Sequence, residues 1–196
     1  VAQEHINAAL IEHARAGKFV VRLKGGDPYV FGRGAEEVIA CLQAGVPVTV
    51  VPGITSAVAV PAAANVPVTH RGVAQEFSVV SVHVPPGDPR STVDWPALAT
   101  TQGTLVLLMA VERLAAVAQT LIRHGRSAQT PVSVIADGTL PTQRTIVATL
   151  DNVASSVVKD GIRPPAVVVI GEVVNVAAEI SELVQRMPAM TGTGST

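Results

Sequence analysis

The stretch Val21-Arg22-Leu23-Lys24-Gly25-Gly26-Asp27-Pro28-Tyr29-Val30-Phe31-Gly32-Arg33-Gly34 decides the reading of the fold. It closes an apolar run that begins at Phe19, passes through a glycine-rich loop, and enters a helix opened by Ala35, Glu36 and Glu37. Residues 19–23 are therefore predicted to be a buried strand. Adjacent glycines let backbone approach a ligand with no Cβ between them. Asp27-Pro28 turns the chain, and Arg33, between two glycines, can reach an anion. Open α/β sheets bind ligands in loops at the carboxyl ends of parallel strands. Fold class and a ligand loop are thus predicted from the same residues.

Working outward, residues 2–16 are predicted helical, with Ile6, Leu10, Ile11 and Ala14 on one stripe and Gly17 as the stop. Residues 36–44 form a second helix ended by Gly45. Residues 46–51 are a second buried strand closed by Pro52-Gly53, and residues 54–64 a small-residue helix with Thr55 and Ser56 near its start. The run 66–72, with proline, glycine and paired cations, breaks the pattern and is taken as a domain boundary. That gives residues 1–72 as the remainder of an N-terminal α/β domain and 73–187 as a C-terminal α/β domain. Residues 188–196, rich in Thr, Gly and Ser, are a disordered tail. In the second half, strands are expected at 76–83, 104–109, 132–136 and 166–170. Residues 143–150 alternate in polarity, as a strand near a sheet edge does. Helices are expected at 113–124, 153–159 and 177–186, with turns at 85–91 and 137–139. Two strands make a poor sheet, and parallel pairing needs crossover connections. The first domain is accordingly expected to be incomplete, lacking an N-terminal portion, which the start at Val1 fits.

Composition excludes several classes. The 196 residues are 48% apolar but 3% aromatic, so Val-rich strands under Ala-rich helices are expected. Fourteen basic and 15 acidic residues leave neither a nucleic-acid footprint nor a polybasic membrane patch. The single cysteine, Cys41, excludes an internal disulfide and a cysteine-based zinc site, and its neighbours place it on a buried helix face. The five histidines are scattered and no metal is expected. With no long apolar run and no signal-peptide pattern, the expected compartment is the cytoplasm.

Gly25-Gly26-Asp27 and Pro52-Gly53-Ile54-Thr55-Ser56 are two strand-end loops expected on one rim. Neither the P-loop pattern nor the G-x-G-x-x-G dinucleotide fingerprint is present. Alternatively, these glycines merely make tight turns. Four motifs carry a family resemblance: Gly25-Gly26-Asp27-Pro28, Phe31-Gly32-Arg33-Gly34, residues 51–57 and residues 67–72. In that order and spacing they resemble the uroporphyrinogen-III C-methyltransferases, within the S-adenosylmethionine-dependent tetrapyrrole methylases. Residues 107–109, Asp137-Gly138-Thr139 and Pro165-Ala166 continue the likeness through the second half.

The resemblance implies two α/β domains with a cleft between them, and methylation of uroporphyrinogen III to precorrin-2 on the way to sirohaem and cobalamin. It implies S-adenosyl-L-methionine as cofactor, held by Gly25, Gly26, Asp27, Val30, Thr55 and Ser56, with Met109, Gly138 and Ala166 closing the pocket. It also implies a homodimer. Ser56 stands where the family often has Ala, and Ala110 where it commonly has Gly. The strand, the Gly-Pro-Gly-Asp-Pro-type loop and the nearby aspartate with which family members begin are not in the sequence. The substrate is a polycarboxylate, and guanidinium forks bind carboxylates bidentately. Arg33 and Arg71, with His70 beside Arg71, are the candidate substrate contacts; no catalytic base is assigned. Competing readings are another methylase, acting on a later corrinoid precursor or on the protein substrate of diphthamide synthesis, a non-catalytic remnant, and a generic nucleotide-binding protein.

Overall fold

The stripe Ile6, Leu10, Ile11 and Ala14 folds as the helix Gln3–Arg15 (α1). Gly17, at φ 79°, donates its N–H to the Ala14 carbonyl at 3.0 Å and ends it. Gly34–Gln43 (α2) follows the glycine-rich loop and buries Glu37 and Cys41, and Ser56–Ala63 (α3) is the small-residue helix. The structure is a computed structural model that describes residues 2–187; the expected disordered tail, 188–196, lies outside the described residues.

The two strands expected in this first part do not form. Residues 18–24 and 46–55 run without sheet pairing, and Phe19, Val21, Leu23 and Val51 are exposed, Phe19 to 95%. An apolar run records a preference for a sheet; a ladder also needs neighbouring strands, and these segments have none among the described residues. The sheet lies wholly in the second part. It comprises Phe77–Ser81 (β1), Thr104–Leu108 (β2), Pro131–Ala136 (β3), Arg144–Thr149 (β4) and Ala166–Ile170 (β5), in the order β1-β2-β5-β3-β4. β1 and β2 are parallel; β5 runs antiparallel to both β2 and β3, and β4 antiparallel to β3. β4 is an edge strand, as its alternation predicted.

Period-two alternation sends side chains to two faces. On one, Leu105, Leu107, Val132, Val134, Val168 and Ile170 pack with Trp95, Leu114, Leu121, Val153 and Val157. These last residues come from the helices Trp95–Thr100 (α4), Leu114–Arg123 (α5) and Val153–Lys159 (α6). On the other, Val106, Leu108, Ile135, Val167 and Val169 pack with α3 and with Val173–Arg186 (α7). α4 was not predicted. Its start is marked by Asp94, whose carboxylate accepts from the Ala97 N–H at 3.1 Å, and by Pro96 in the first turn.

The chain divides into two compact units, Val1–Ser56 and Ala57–Thr196. The division falls ahead of the expected boundary at Gly72 because Val60, Val66 and Ala74 pack in the same cluster as Val106 and Val167. No described helix is long and apolar enough to cross a membrane.

Candidate functional site

In the first unit the two predicted loops meet. A Cβ on Gly53 would sit 2.3 Å from the Gly26 carbonyl oxygen, so only glycine permits this approach. Gly26 itself is at φ 96°, with Ile54 and Thr55 backbone as its nearest neighbours. The carboxylate of Asp27 fastens the joint: Oδ1 accepts from the Tyr29 N–H at 2.8 Å and Oδ2 from the Gly53 N–H at 3.1 Å. These bonds, that from Gly53 first, hold the Asp27 carboxyl below its ordinary value. A Cβ on Gly25 would meet nothing within 4 Å, leaving that stretch of backbone open to an incoming group.

In the second unit, β2 and β3 both run antiparallel to β5, so their carboxyl ends share an edge with the start of β5. Register puts Leu108 opposite Val167 and Ala136 opposite Ala166. Met109, Asp137-Gly138-Thr139 and Ala166 therefore lie together on one rim. The Asp137 N–H donates to the Pro165 carbonyl at 3.1 Å across it. Met109, Asp137 and Thr139 all have positive φ, at 56°, 50° and 72°. That conformation costs about 1–2 kcal/mol per L-residue, and such strain concentrates at ligand-binding sites. A Cβ on Gly138 would lie 2.4 Å from Cγ1 of Val60 on α3. Gln143 clamps the same corner, accepting from the Thr139 N–H at 2.8 Å and donating to the Ala63 carbonyl at 3.3 Å. Met109 is half exposed while the following Ala110 is fully buried.

The sequence profile of the tetrapyrrole (corrin/porphyrin) methylases matches residues 1–154. The chain belongs to the tetrapyrrole methylases. It is 48% identical over 155 residues to an S-adenosyl-L-methionine-dependent uroporphyrinogen III methyltransferase of Methanosarcina barkeri, covering 79% of this chain and 61% of that protein. It is 47% identical over 153 residues to sirohaem synthase 1 of Klebsiella pneumoniae, covering 78% of this chain and 32% of that protein. Among solved structures it resembles a uroporphyrin-III C-methyltransferase from Thermus thermophilus complexed with S-adenosylhomocysteine. The TM-score is 0.76 at 45% identity, covering 89% of this chain and 75% of that one. The chain thus spans less than two thirds of the length of these curated relatives.

As a tetrapyrrole methylase, the chain gathers its predicted site residues into two groups. Gly25, Gly26, Asp27, Val30 and Thr55 lie in the loops of the first unit, with Ser56 opening α3; Met109, Gly138 and Ala166 lie on the rim of the second. Ala110, at φ −99° and ψ −20°, lies in a conformation that needs no glycine. Arg33 is held by Glu36, donating from Nε to Oε1 at 2.8 Å and from Nη2 to Oε2 at 2.7 Å. That pair raises the Arg33 pKa and lowers that of Glu36. His70 and Arg71 are exposed in a tight turn where His70 and Ala74 exchange backbone hydrogen bonds. Sequence reasoning missed Gln143, whose role rests on a contact with Ala63 far away in the chain. It also missed the set Gln3, Arg22 and Lys24 around Glu37, which a charge pattern alone does not assemble.

Proposed function

We propose that this tetrapyrrole methylase performs S-adenosyl-L-methionine-dependent C-methylation of uroporphyrinogen III to precorrin-2, the step that feeds sirohaem and cobalamin synthesis. One observation carries the reading: in a chain of this family, Gly26 and Gly53 abut and Asp27 fastens them, leaving Gly25 backbone open. The residues present fit the cofactor. Gly25 leaves room for close backbone approach, and the half-exposed Met109 offers an apolar wall beside strained, fixed backbone. Gly25, Gly26, Asp27, Val30, Thr55, Ser56, Met109, Gly138 and Ala166 are the proposed cofactor contacts.

When bound, S-adenosylmethionine supplies a methyl group on a sulfonium for in-line displacement. In such a reaction, alignment of donor and acceptor accounts for much of the rate. The chain's part is orientation. Asp27 holds two backbone N–H groups at fixed positions, and the positive-φ residues hold the second rim. Arg33, Arg71 and His70 are the proposed contacts for substrate carboxylates, Arg33 exchanging the Glu36 carboxylate for one on the substrate. A homodimer and a cytoplasmic setting complete the proposal.

The test is incubation of the protein with uroporphyrinogen III and methyl-labelled S-adenosylmethionine, with products read by mass. Two methyl groups gained by uroporphyrinogen are expected. Methylation of another tetrapyrrole, or of a protein acceptor, with uroporphyrinogen unchanged would overturn the substrate assignment.

A further inference from the structure

Glu37 is 5% exposed, yet it carries a carboxylate. Its Oε1 accepts from Lys24 Nζ at 3.1 Å, Arg22 Nε at 3.3 Å and Gln3 Nε2 at 3.2 Å, and its Oε2 accepts from Lys24 Nζ at 3.1 Å. Burial alone raises a carboxyl pKa. Here the bonds from Gln3 and Lys24, and the charges of Lys24 and Arg22, outweigh burial and hold Glu37 below its ordinary value. A buried ion pair is weak evidence for stability, because desolvation offsets most of the attraction. The placement of this one is more telling. Lys24 is the last residue before Gly25, and Glu37 lies on the helix that follows the loop. At the other end of the loop, the Gly34 N–H donates to the Pro28 carbonyl at 2.9 Å. The Gly25-Gly26-Asp27 turn is therefore clamped to α2 on both sides.

We propose that Glu37 is a positioning residue: acting through Lys24 and Arg22, it fixes the entry to the loop so that Asp27 reaches the Tyr29 and Gly53 amides. Its importance for ligand binding rests on the function proposed above; the clamp itself does not.

The experiment uses the 15N-labelled chain without ligand, reading amide exchange at Tyr29 and Gly53 against amides of α2. In parallel, thermal unfolding and titration with S-adenosylhomocysteine are followed. Two variants are compared with the wild type: Glu37→Gln, and the charge-free pair Lys24→Met with Glu37→Met. The pair keeps the site filled with apolar groups, which tolerates loss of the charges. In Glu37→Gln, exchange at Tyr29 and Gly53 is expected to quicken by roughly tenfold or more relative to α2, as a local opening does. In the pair, thermal stability returns while exchange at those two amides stays fast. Should Glu37→Gln fail to fold, the pair decides by the same readout. Wild-type exchange at Tyr29 and Gly53 in the folded pair would overturn the proposal and leave Glu37 a structural ion. Because exchange is read without ligand, absence of S-adenosylhomocysteine binding by the wild type counts against the proposed function and not against the clamp.

Discussion

In the second unit the rim at Met109, Gly138 and Ala166 stands on strands β2, β3 and β5, most of whose residues are inaccessible to solvent. In the first unit the loops at Gly25 and Gly53 follow segments whose Phe19, Leu23 and Val51 face solvent. Yet both sets of backbone are held in unusual conformations. The second unit does this by packing: Val60 fills the space at Gly138, and two apolar clusters cover the sheet. The first does it with polar latches, Asp27 across the joint and Glu37 at the entry.

The largest effect is expected in the sheet. Leu107, fully buried in β2, is expected to cost about 2–5 kcal/mol on replacement by alanine. Urea unfolding should show that loss in the second unit, with exchange at Tyr29 and Gly53 unaffected. Next in size is Gly138→Ala, whose added methyl meets Val60 at 2.4 Å. Overpacking of that kind costs about 1–3 kcal/mol. Combining it with Val60→Ala should recover part of the loss, as a coupled pair does in a double-mutant cycle.

Gly53→Ala sharpens the contrast. The added methyl would meet backbone of Gly26 and Asp27, so the loop must shift, at a cost of about 1–3 kcal/mol borne by the first unit. Affinity for S-adenosylhomocysteine should fall by roughly tenfold or more, since even small misplacement of a positioning group is costly. The acid limb separates the units further. The pKa of Glu37 is lowered by folding, so its contribution is complete above its ordinary value of 4.5 and is lost as pH falls through the lower folded value. Protection of the first-unit amides, measured against their intrinsic exchange rates at each pH, should therefore fall on acidification below that range, with protonation of Asp27 adding to the loss at Tyr29 and Gly53. The smallest effect belongs to Asp88, which accepts from the Arg90 guanidinium and backbone and titrates at about 2. What it contributes is complete above 3.8 and lost as pH falls through about 2; carboxyl chemical shifts would follow it with little change in global stability.

The second unit was largely legible in the sequence. Its strands are short Val-rich runs closed by turns, and Asp137-Gly138-Thr139 and the edge strand β4 stand where pattern placed them. The short helix α4 was hidden because six residues are too few for periodicity to register, although Asp94 and Pro96 signalled it. In the first unit the nearness of the Gly26 and Gly53 loops was legible from the sequence, whereas the strands predicted ahead of them do not form. Phe19 to Leu23 has the composition of a buried strand, and composition cannot report whether a neighbour is there to pair with it. The polar latches were invisible for a similar reason: Gln3, Arg22, Lys24 and Glu37 look like ordinary surface residues until the helices bring them together.

The most direct test is calorimetric titration of the folded chain with S-adenosylhomocysteine, in wild type and in Asp27→Ala. The account predicts binding by the wild type and its marked weakening in the variant, with thermal unfolding of the second unit unchanged. A folded wild-type chain that does not bind, or a variant that binds equally well, would contradict it.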